Sequence, residues 1–136
     1  MFEKIKIKEE NGKQLIYDII RKKYVTLSPE EWVRQQLIHH FTENLQYPKG
    51  VFSVEKQLKI GDKKKRYDLV VYKNDMPWMI VECKEENELL NKQVLNQILS
   101  YNIALKVKYL VITNGKEIYC FNTELKKWQD DLPEYL

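Results

Sequence analysis

The chain has 136 residues, enough for one domain with a substantial core. Hydrophobic residues make up 43% and charged residues 32% of it, which is typical of a folded globular protein rather than a disordered one. The net charge of +3 permits an anionic partner without requiring one, so the local clustering of charge is more informative than the total.

Neither a signal peptide nor a membrane span is predicted. The first ten residues, MFEKIKIKEE, are charged and lack an apolar core, and no apolar run approaches the roughly 18 residues that a membrane helix requires. Cys83 and Cys120 lie in apolar, strand-like runs without a CxxC partner. This pattern predicts reduced core thiols and a cytoplasmic location, and it argues against a zinc site.

Residues 1–27 are predicted to form an N-terminal extension of short strands. Asn11-Gly12 is a turn signal at the centre of a weak apolar alternation. The alternating residues are Phe2, Ile5, Ile7, Leu15, Ile16 and Tyr17.

A helix is predicted to begin at Ser28, which is followed by Pro29 and, three residues after the cap, by Glu31. An apolar residue recurs every fourth position up to the stop signal at residues 47–50. These residues are Val33, Leu37, Phe41 and Leu45. Two roles stay open for Glu31, a capping box at the helix start and a contribution to a functional site.

A strand is predicted from Val51 to Ile60, followed by a turn from Gly61 to Arg66. Four consecutive cations close this turn immediately before Asp68: Lys63, Lys64, Lys65 and Arg66. They are either a solvated turn or contacts to nucleic-acid phosphates, and the second interpretation makes them candidate nucleic-acid-binding residues.

Two apolar runs, Leu69–Tyr72 and Trp78–Val81, flank a polar break and predict a hairpin. Asp68 opens the first run, and Glu82 and Lys84 close the second. Because strand side chains alternate, Glu82 and Lys84 point to the same face.

The register of this hairpin decides whether the charged residues meet. Pairing Val70 with Ile80 and Tyr72 with Trp78 would place Asp68 opposite Glu82, whereas a slip of one residue would separate them. Both faces of the hairpin are apolar, which predicts helices on both sides of the sheet.

A second amphipathic helix is predicted over residues 87–105, with Gln97 and Tyr101 sharing one of its faces. Its apolar stripe consists of Leu90, Val94, Ile98, Tyr101 and Leu105. A second hairpin, residues 109–113 and 117–121, is predicted around Asn114-Gly115. The tail, residues 122–136, receives no structural assignment.

The order of elements is helix, three strands, helix, two strands. A helix that crosses between two strands of one sheet favours a right-handed parallel connection. The chain is therefore predicted to be a single domain of the three-layer α/β class with a mixed sheet, its core spanning residues 28–121.

Two carboxylates and one amine converging at the ends of buried strands predict an oxygen-ligand site for Mg²⁺ or Mn²⁺. An acidic residue, any residue and then lysine occurs three times in the sequence, at residues 62–64, 82–84 and 124–126. In the predicted topology, only the pair Glu82 and Lys84 ends a buried strand beside another strand that carries a carboxylate, Asp68.

With this context the chain resembles the PD-(D/E)XK nuclease superfamily, and in particular the N-terminal nuclease domain of type I restriction enzyme R subunits in its RecB-like branch. Asp68 matches the first acidic position, Glu82 and Lys84 match the acid-x-Lys strand, and residues 97–101 match the QxxxY helix motif. Glu31 matches an acidic residue of the first helix. The resemblance implies a restriction-endonuclease-like fold with an α-β-β-β-α-β core.

Two departures accompany the resemblance. Tyr67 stands where a proline often precedes the aspartate, but proline supplies no ligand atom. An R subunit also carries a long ATP-driven motor, for which 136 residues leave no room. Any movement along DNA is therefore expected to depend on a motor or specificity partner.

The resemblance implies a Mg²⁺-dependent DNA endonuclease, with Mn²⁺ as an alternative cofactor. Asp68 and Glu82 would hold the metal, and Lys84 would position the attacking water. Gln97 would orient the water or the lysine, and Tyr101 would form a hydrogen bond to a phosphate. Glu31 would supply a contact from beyond the residues that touch the metal.

Two other functions stay open on the sequence. One is a non-catalytic nucleic-acid-binding or regulatory module that retains the fold, favoured by the missing motor and the basic residues. The other is a protein-interaction domain, for which the aromatic tail residues Trp128 and Tyr135 are the support.

Overall fold

The computed structural model describes residues 4–136, so Phe2, the first residue of the predicted alternation, lies outside the described residues. The N-terminal extension forms a three-stranded antiparallel sheet in the order β1-β2-β3. Its strands are β1 Ile7–Glu10, β2 Lys13–Asp18 and β3 Lys23–Thr26. Asn11 and Gly12 have φ values of 52° and 78°, as the two-residue turn between twisted strands requires, so the predicted turn is confirmed.

The first helix, α1 Pro29–His39, begins where the sequence predicts. Ser28 Oγ accepts a hydrogen bond from Glu31 N at 3.0 Å, which caps the helix. The helix continues through a π-helical turn, His40–Asn44, and a 3₁₀ turn, Lys49–Val51, precedes the main sheet.

The main sheet has six strands in the order β4-β5-β6-β7-β8-β9. Its elements are β4 Phe52–Ile60, β5 Lys63–Lys73, β6 Met76–Cys83, α2 Lys92–Asn102, β7 Tyr109–Thr113, β8 Ile118–Asn122 and β9 Lys127–Gln129. All neighbouring pairs are antiparallel except β6 and β7, which are parallel and joined through α2. The predicted mixed sheet with a helical crossover is confirmed.

The central hairpin of β5 and β6 has the predicted register over most of its length. Val70 pairs with Ile80 as predicted, but Tyr72 pairs with Pro77 and not with Trp78. The prediction fails there because the register shifts between Val71 and Tyr72. The core half of the hairpin, on the side of Asp68 and Glu82, is unaffected by this shift.

A separate apolar cluster covers each face of the sheet, as the two apolar faces of the hairpin predict. One cluster joins Leu69, Val71, Met79 and Val81 to residues of α1: Val33, Leu37 and Ile38. The other joins Val70 and Ile80 to residues of α2: Leu95 and Ile98. The layers are therefore helix, sheet and helix.

The β4–β5 ribbon turns over where Glu55 and Asp68 face each other. Val54 pairs with Leu69 on the α1 side, whereas the next pair, Lys56 with Tyr67, brings Tyr67 to the α2 side. Glu55 has a φ of 53°, in the left-handed region, and this twists the ribbon. Asp68 thus lies at the crossing point between the two faces.

The predicted turn from Gly61 to Arg66 is wrong in its extent. Only Gly61 and Asp62 form the turn, and Lys63 to Arg66 are the first residues of β5, paired with β4. The sequence does not reveal this strand because its first residues are charged and three of the four, Lys63, Lys64 and Arg66, are exposed at the outer end of the ribbon.

The C-terminal tail, which has no assignment from the sequence, packs onto the domain. Trp128 on β9 lies 5.0 Å from the Phe121 ring, centroid to centroid. Tyr135 OH donates to Tyr72 O at 2.7 Å, and its ring lies 5.4 Å from that of Trp78. Both aromatic residues therefore serve internal packing, which removes the support for a protein-interaction domain.

None of the helices in residues 4–136 is both long and apolar enough to cross a membrane. Cys83 and Cys120 are buried and free, as predicted for core thiols.

We expect Tyr135→Ala to lower the free energy of unfolding by about 1–3 kcal/mol, because it removes aromatic contacts and one hydrogen bond. Urea denaturation followed by tryptophan fluorescence measures the change. Leu136→Ala is the control, since Leu136 is 86% exposed. Equal stability of the two variants would show that the tail does not support the domain.

Candidate active site

Asp68 lies where the backbone pairing of β5 with β6 ends. That pairing extends to Leu69 opposite Val81. Beyond it, the two strands are joined by the Asp68 side chain, whose Oδ2 accepts a hydrogen bond from Cys83 N at 2.7 Å. Asp68 Oδ1 lies 3.9 Å from Arg34 Nη1, and the side chain is 38% exposed. One carboxylate oxygen is thus fixed by the neighbouring strand, and the group remains accessible from solvent.

Glu82 lies on β6, in the interior of the sheet, and is 8% exposed. Its Oε1 forms an ion pair with Lys65 Nζ. The same ammonium group lies 3.2 Å from Asn102 Oδ1 and 5.1 Å from the centre of the Tyr67 ring. The negative charge of Glu82 is therefore balanced by a cation that α2 and β5 hold in place.

The charges of Glu82 and Lys84 both act on Asp68. Burial raises the pKa of Asp68 above its ordinary value, and the charge of Glu82 raises it as well. The hydrogen bond from Cys83 N–H and the charges of Arg34 and Lys84 offset only part of this increase. The structure thus places Glu82 and Lys84, both predicted from the sequence as site residues, within electrostatic reach of Asp68.

Glu31, on α1, is buried among polar partners from α1 and from the segment after β2. Its carboxylate accepts hydrogen bonds from Arg34 Nε at 3.0 Å and Nη2 at 2.5 Å, from Arg21 Nη2 at 2.9 Å and from Gln35 Nε2 at 3.0 Å. Arg34 Nη1 in turn donates to Asp68 O at 3.4 Å. Arg34 therefore stands between Glu31 and Asp68, and Glu31 acts on the site through it.

The two roles considered for Glu31 are divided between its backbone and its side chain. Its N–H completes the cap at Ser28, while its carboxylate turns to Arg34, Arg21 and Gln35. Burial alone would raise the pKa of Glu31, but the hydrogen bonds from Arg34 and Gln35 and the charges of both arginines outweigh it and lower the pKa.

Gln97 and Tyr101 lie on the solvent-facing side of α2. Tyr101 is 68% exposed, and within residues 4–136 neither side chain is hydrogen bonded to Asp68, Glu82 or Lys84. The prediction that Tyr101 belongs to the apolar stripe is wrong. The helix runs from Lys92 to Asn102 and is shorter than the predicted 87–105. Its buried residues are Leu95, Ile98 and Asn102.

The four cations predicted to bind nucleic acid separate onto two faces of the ribbon. Lys65 points toward Glu82, as described above, and Lys63 shares its side of the strand. Lys64 and Arg66 are exposed on the other side, where Lys64 pairs directly with Lys59 of β4. We call Lys59, Lys64 and Arg66 the basic ridge. Like charges facing each other across strands are unfavourable unless an anion lies between them.

Three residues of the site do not stand out in the sequence. Arg34 is three positions after Glu31 on a helix, a spacing that favours an ion pair. Asn102 continues the inward row of Leu95 and Ile98 and could have been found from that spacing. Lys59 could be recognised only once the register of β4 against β5 was known.

The two carboxylates suit a divalent cation in kind. Mg²⁺ is commonly bound through one or two carboxylates and keeps several waters. Glu82 already forms an ion pair with Lys65. The negative charge of Glu82 also makes ionisation of the half-exposed Asp68 less favourable. Residues 4–136 contain no group of three or more His, Cys, Asp and Glu side chains arranged for a metal. A cation at Asp68 and Glu82 would therefore need water or other oxygen atoms as further ligands.

We expect Glu31→Gln to destabilise the protein by about 3 kcal/mol at neutral pH, because it removes the carboxylate that pairs most closely with the buried Arg34. The pKa of Glu31 is lowered in the folded state, so its contribution is present above the ordinary value of 4.5 and is lost as the pH falls through the folded value. The difference from wild type should accordingly shrink in acid. Urea denaturation over a pH series measures it, with the exposed Glu30→Gln as the control. A constant difference at all pH values would contradict this account.

We expect Asp68→Asn to have the opposite effect and to stabilise the protein at neutral pH in EDTA. The pKa of Asp68 is raised in the folded state, so its ionisation costs stability as the pH rises from the ordinary value of 3.8 through the folded value. The amide oxygen still accepts the Cys83 N–H bond. Thermal unfolding at several pH values should show the gain growing with pH, whereas the exposed Asp62→Asn should show none. A loss of stability in Asp68→Asn would refute the argument.

Comparison with known proteins places this arrangement in a family. Residues 29–133 match the model of the family described as Type I restriction enzyme R protein N terminus (HSDR_N). A search of curated proteins finds no match. Among solved structures, a proposed nuclease of the DUF820 family from Anabaena variabilis superposes with a TM-score of 0.52 at 8% identity, over 88% of this chain and 73% of that one.

The structural likeness, at this low identity, supports the fold alone, which is restriction-endonuclease-like as the resemblance implies. The family match covers most of the chain, including Asp68, Glu82 and Lys84. The chain belongs to the family of type I restriction enzyme R protein N termini and carries a nuclease-like domain of the PD-(D/E)XK class.

Proposed function

We propose that this domain is a Mg²⁺-dependent phosphodiester hydrolase that cuts DNA. The observation that carries the proposal is the meeting of Asp68 and Glu82 at the end of the β5–β6 pairing, with Lys84 just beyond Glu82 on the chain. Both carboxylates lie on buried strands, where charge is costly unless it is paired or binds a cation. The raised pKa of Asp68 is typical of residues at functional sites.

Asp68 and Glu82 are the residues that would hold the metal ion. When bound there, Mg²⁺ would neutralise charge on the phosphate and lower the pKa of a water ligand. Cys83 N–H holds Asp68 Oδ2 in place, and Arg34 holds the backbone of Asp68 from the α1 side. The Asp68 carboxylate is therefore oriented before any substrate arrives.

Lys84 is suited to orient the attacking water and to stabilise negative charge. Its charge already acts on Asp68, which suits an electrostatic role beside the phosphate. The exposed Gln97 and Tyr101 would act only if the substrate reaches over α2, with Tyr101 bonding a phosphate. Under this proposal Gln97 and Tyr101 contact the substrate rather than the metal.

We also propose which residues contact the DNA backbone, which partner the domain has and where in the cell it acts. The basic ridge would bind the phosphate backbone of the substrate. The family description names an R protein, so a motor or specificity subunit is the partner we propose. Two free, buried thiols suit the reducing cytoplasm.

Purified protein should nick supercoiled plasmid in the presence of Mg²⁺ and not in EDTA. We expect Glu82→Gln and Lys84→Ala each to slow cutting by at least about a hundredfold, the usual effect of removing one group that stabilises a transition state. Lys116→Ala, an exposed substitution on the β7–β8 turn, should cut like wild type. Equal cutting by all four proteins would show that the activity is a contaminant.

The second candidate function is nucleic-acid binding without cleavage. The basic ridge favours it, because its exposed cations can contact phosphates whether or not hydrolysis follows. The ion pair of Lys65 with Glu82 favours it too, because it balances one carboxylate without a metal.

DNA affinity measured against salt concentration tests this candidate. Replacing Lys59, Lys64 and Arg66 together by alanine should flatten the slope of log affinity against log salt by about one for each phosphate that the ridge no longer neutralises. A charge-matched control replaces three exposed lysines of other segments: Lys92, Lys106 and Lys116. Binding without cutting by the wild-type protein would favour this function over the first, and an identical slope for both triple variants would remove the ridge from the interface.

A further inference from the structure

Lys65 differs from the other cations of β5 in the number of its partners. Its side chain is 37% exposed and contacts Glu82 Oε1, Asn102 Oδ1 at 3.2 Å and the ring of Tyr67. Lys63 lies two residues earlier on the same side of the strand and is exposed. The sequence groups Lys65 with the phosphate-binding candidates, but its ammonium group is directed into the carboxylate site.

We propose that Lys65 competes with a divalent cation for Glu82, so that its ammonium group sets the metal affinity of the site. The inference rests on the proposed function, because it takes Glu82 as a metal ligand. Lys65 is accordingly a positioning residue for Glu82 and not a phosphate contact.

The competition follows from the burial and charge of Glu82. Only 8% of this residue is exposed, and its Oε1 already contacts Lys65 Nζ. A cation that approaches Glu82 from the side of Asp68 therefore meets the positive charge of Lys65 at close range. Like charges a few ångströms apart repel strongly in such a partly buried site. Binding of the cation and the Lys65–Glu82 ion pair thus oppose each other.

Lys65 can leave Glu82 and keep its other partners. Asn102 Oδ1 is held in place because it accepts Tyr67 OH at 2.6 Å and because Asn102 Nδ2 donates to Ile98 O at 2.7 Å. The Tyr67 ring offers its face to the same ammonium group. Displacement by a metal therefore breaks the ion pair with Glu82 and leaves Lys65 anchored to α2, beside the site.

Mn²⁺ binding to Lys65→Met, measured by titration calorimetry, tests the competition. We expect the variant to bind Mn²⁺ about tenfold more tightly than wild type, because the opposing charge is gone. Lys63→Met is the matched control: it removes the same charge from the same side of β5 without touching Glu82, and its affinity should stay within about twofold of wild type.

Thermal unfolding gives a second readout that does not depend on catalysis. In EDTA, Lys65→Met should unfold at a lower temperature than wild type, because Glu82 is left buried without a counter-ion. Saturating Mn²⁺ should raise its midpoint more than that of wild type. Lys65→Gln, which keeps a hydrogen-bonding end near Asn102, repeats both measurements if Lys65→Met does not fold.

The outcomes separate this inference from the proposed function. If wild type binds Mn²⁺ and neither Lys65 variant binds it more tightly than Lys63→Met, the competition is wrong and the metal site stands. If wild type and all variants fail to bind Mn²⁺, the proposed metal site is wrong and the competition falls with it. Tighter binding in either Lys65 variant supports both.

Discussion

Two carboxylates on buried strands are the constraint around which this domain is built. Asp68 and Glu82 lie where the pairing of β5 with β6 ends, and a negative charge that is even partly buried there is costly without a partner. Each has a cation beside it that a different helix supplies or holds. Arg34 reaches Asp68 from α1, and Lys65, anchored on α2 through Asn102, reaches Glu82. The two helices thus cover the sheet and also supply or hold the charges that the sheet requires.

The N-terminal sheet contributes to the same support. Asp18, at the end of β2, is fully buried and accepts hydrogen bonds from Ile20 N and from Arg21 through its N and Nε. Arg21, fixed in this way, holds Glu31, and Glu31 orients Arg34. An extension that the sequence separates from the core is therefore tied to the candidate site by a chain of ion pairs. The family match begins only at residue 29, so this support comes from outside the matched region.

Local signals in the sequence predict the parts of the fold that depend on neighbouring residues. The Ser28 cap, the Asn11-Gly12 turn and the apolar runs of β5 and β6 each carry their own structural preference, and each is where it was expected. The register of Val70 with Ile80 follows from the match of the two apolar runs. The acidic pair and Lys84 could be grouped for the same reason, since they flank those runs.

The remainder depends on tertiary contacts that local patterns do not express. Four cations in a row favour a solvated turn, yet Lys65 has two polar partners and a ring that come from β6, α2 and β5. An aromatic residue at helical spacing suits a core, which favours a stripe through Tyr101, but the row through Asn102 is the buried one. Asn102 is polar because Tyr67 and Lys65 need an acceptor there. Hydrophobic periodicity cannot find a buried residue that is selected for its hydrogen bonds.

The inversion of the β4–β5 ribbon at Glu55 and Asp68 has a consequence for the size of the substrate. The ridge residues Arg66 and Lys64 are two and four residues from Asp68, about 7 and 13 Å along the strand. At roughly 3.4 Å per base pair, these distances correspond to about two and four base pairs of duplex. Under the proposed function, the ridge would contact DNA at these separations from the hydrolysed bond, so a duplex that extends less than about two base pairs beyond the bond would reach the carboxylates without touching the ridge.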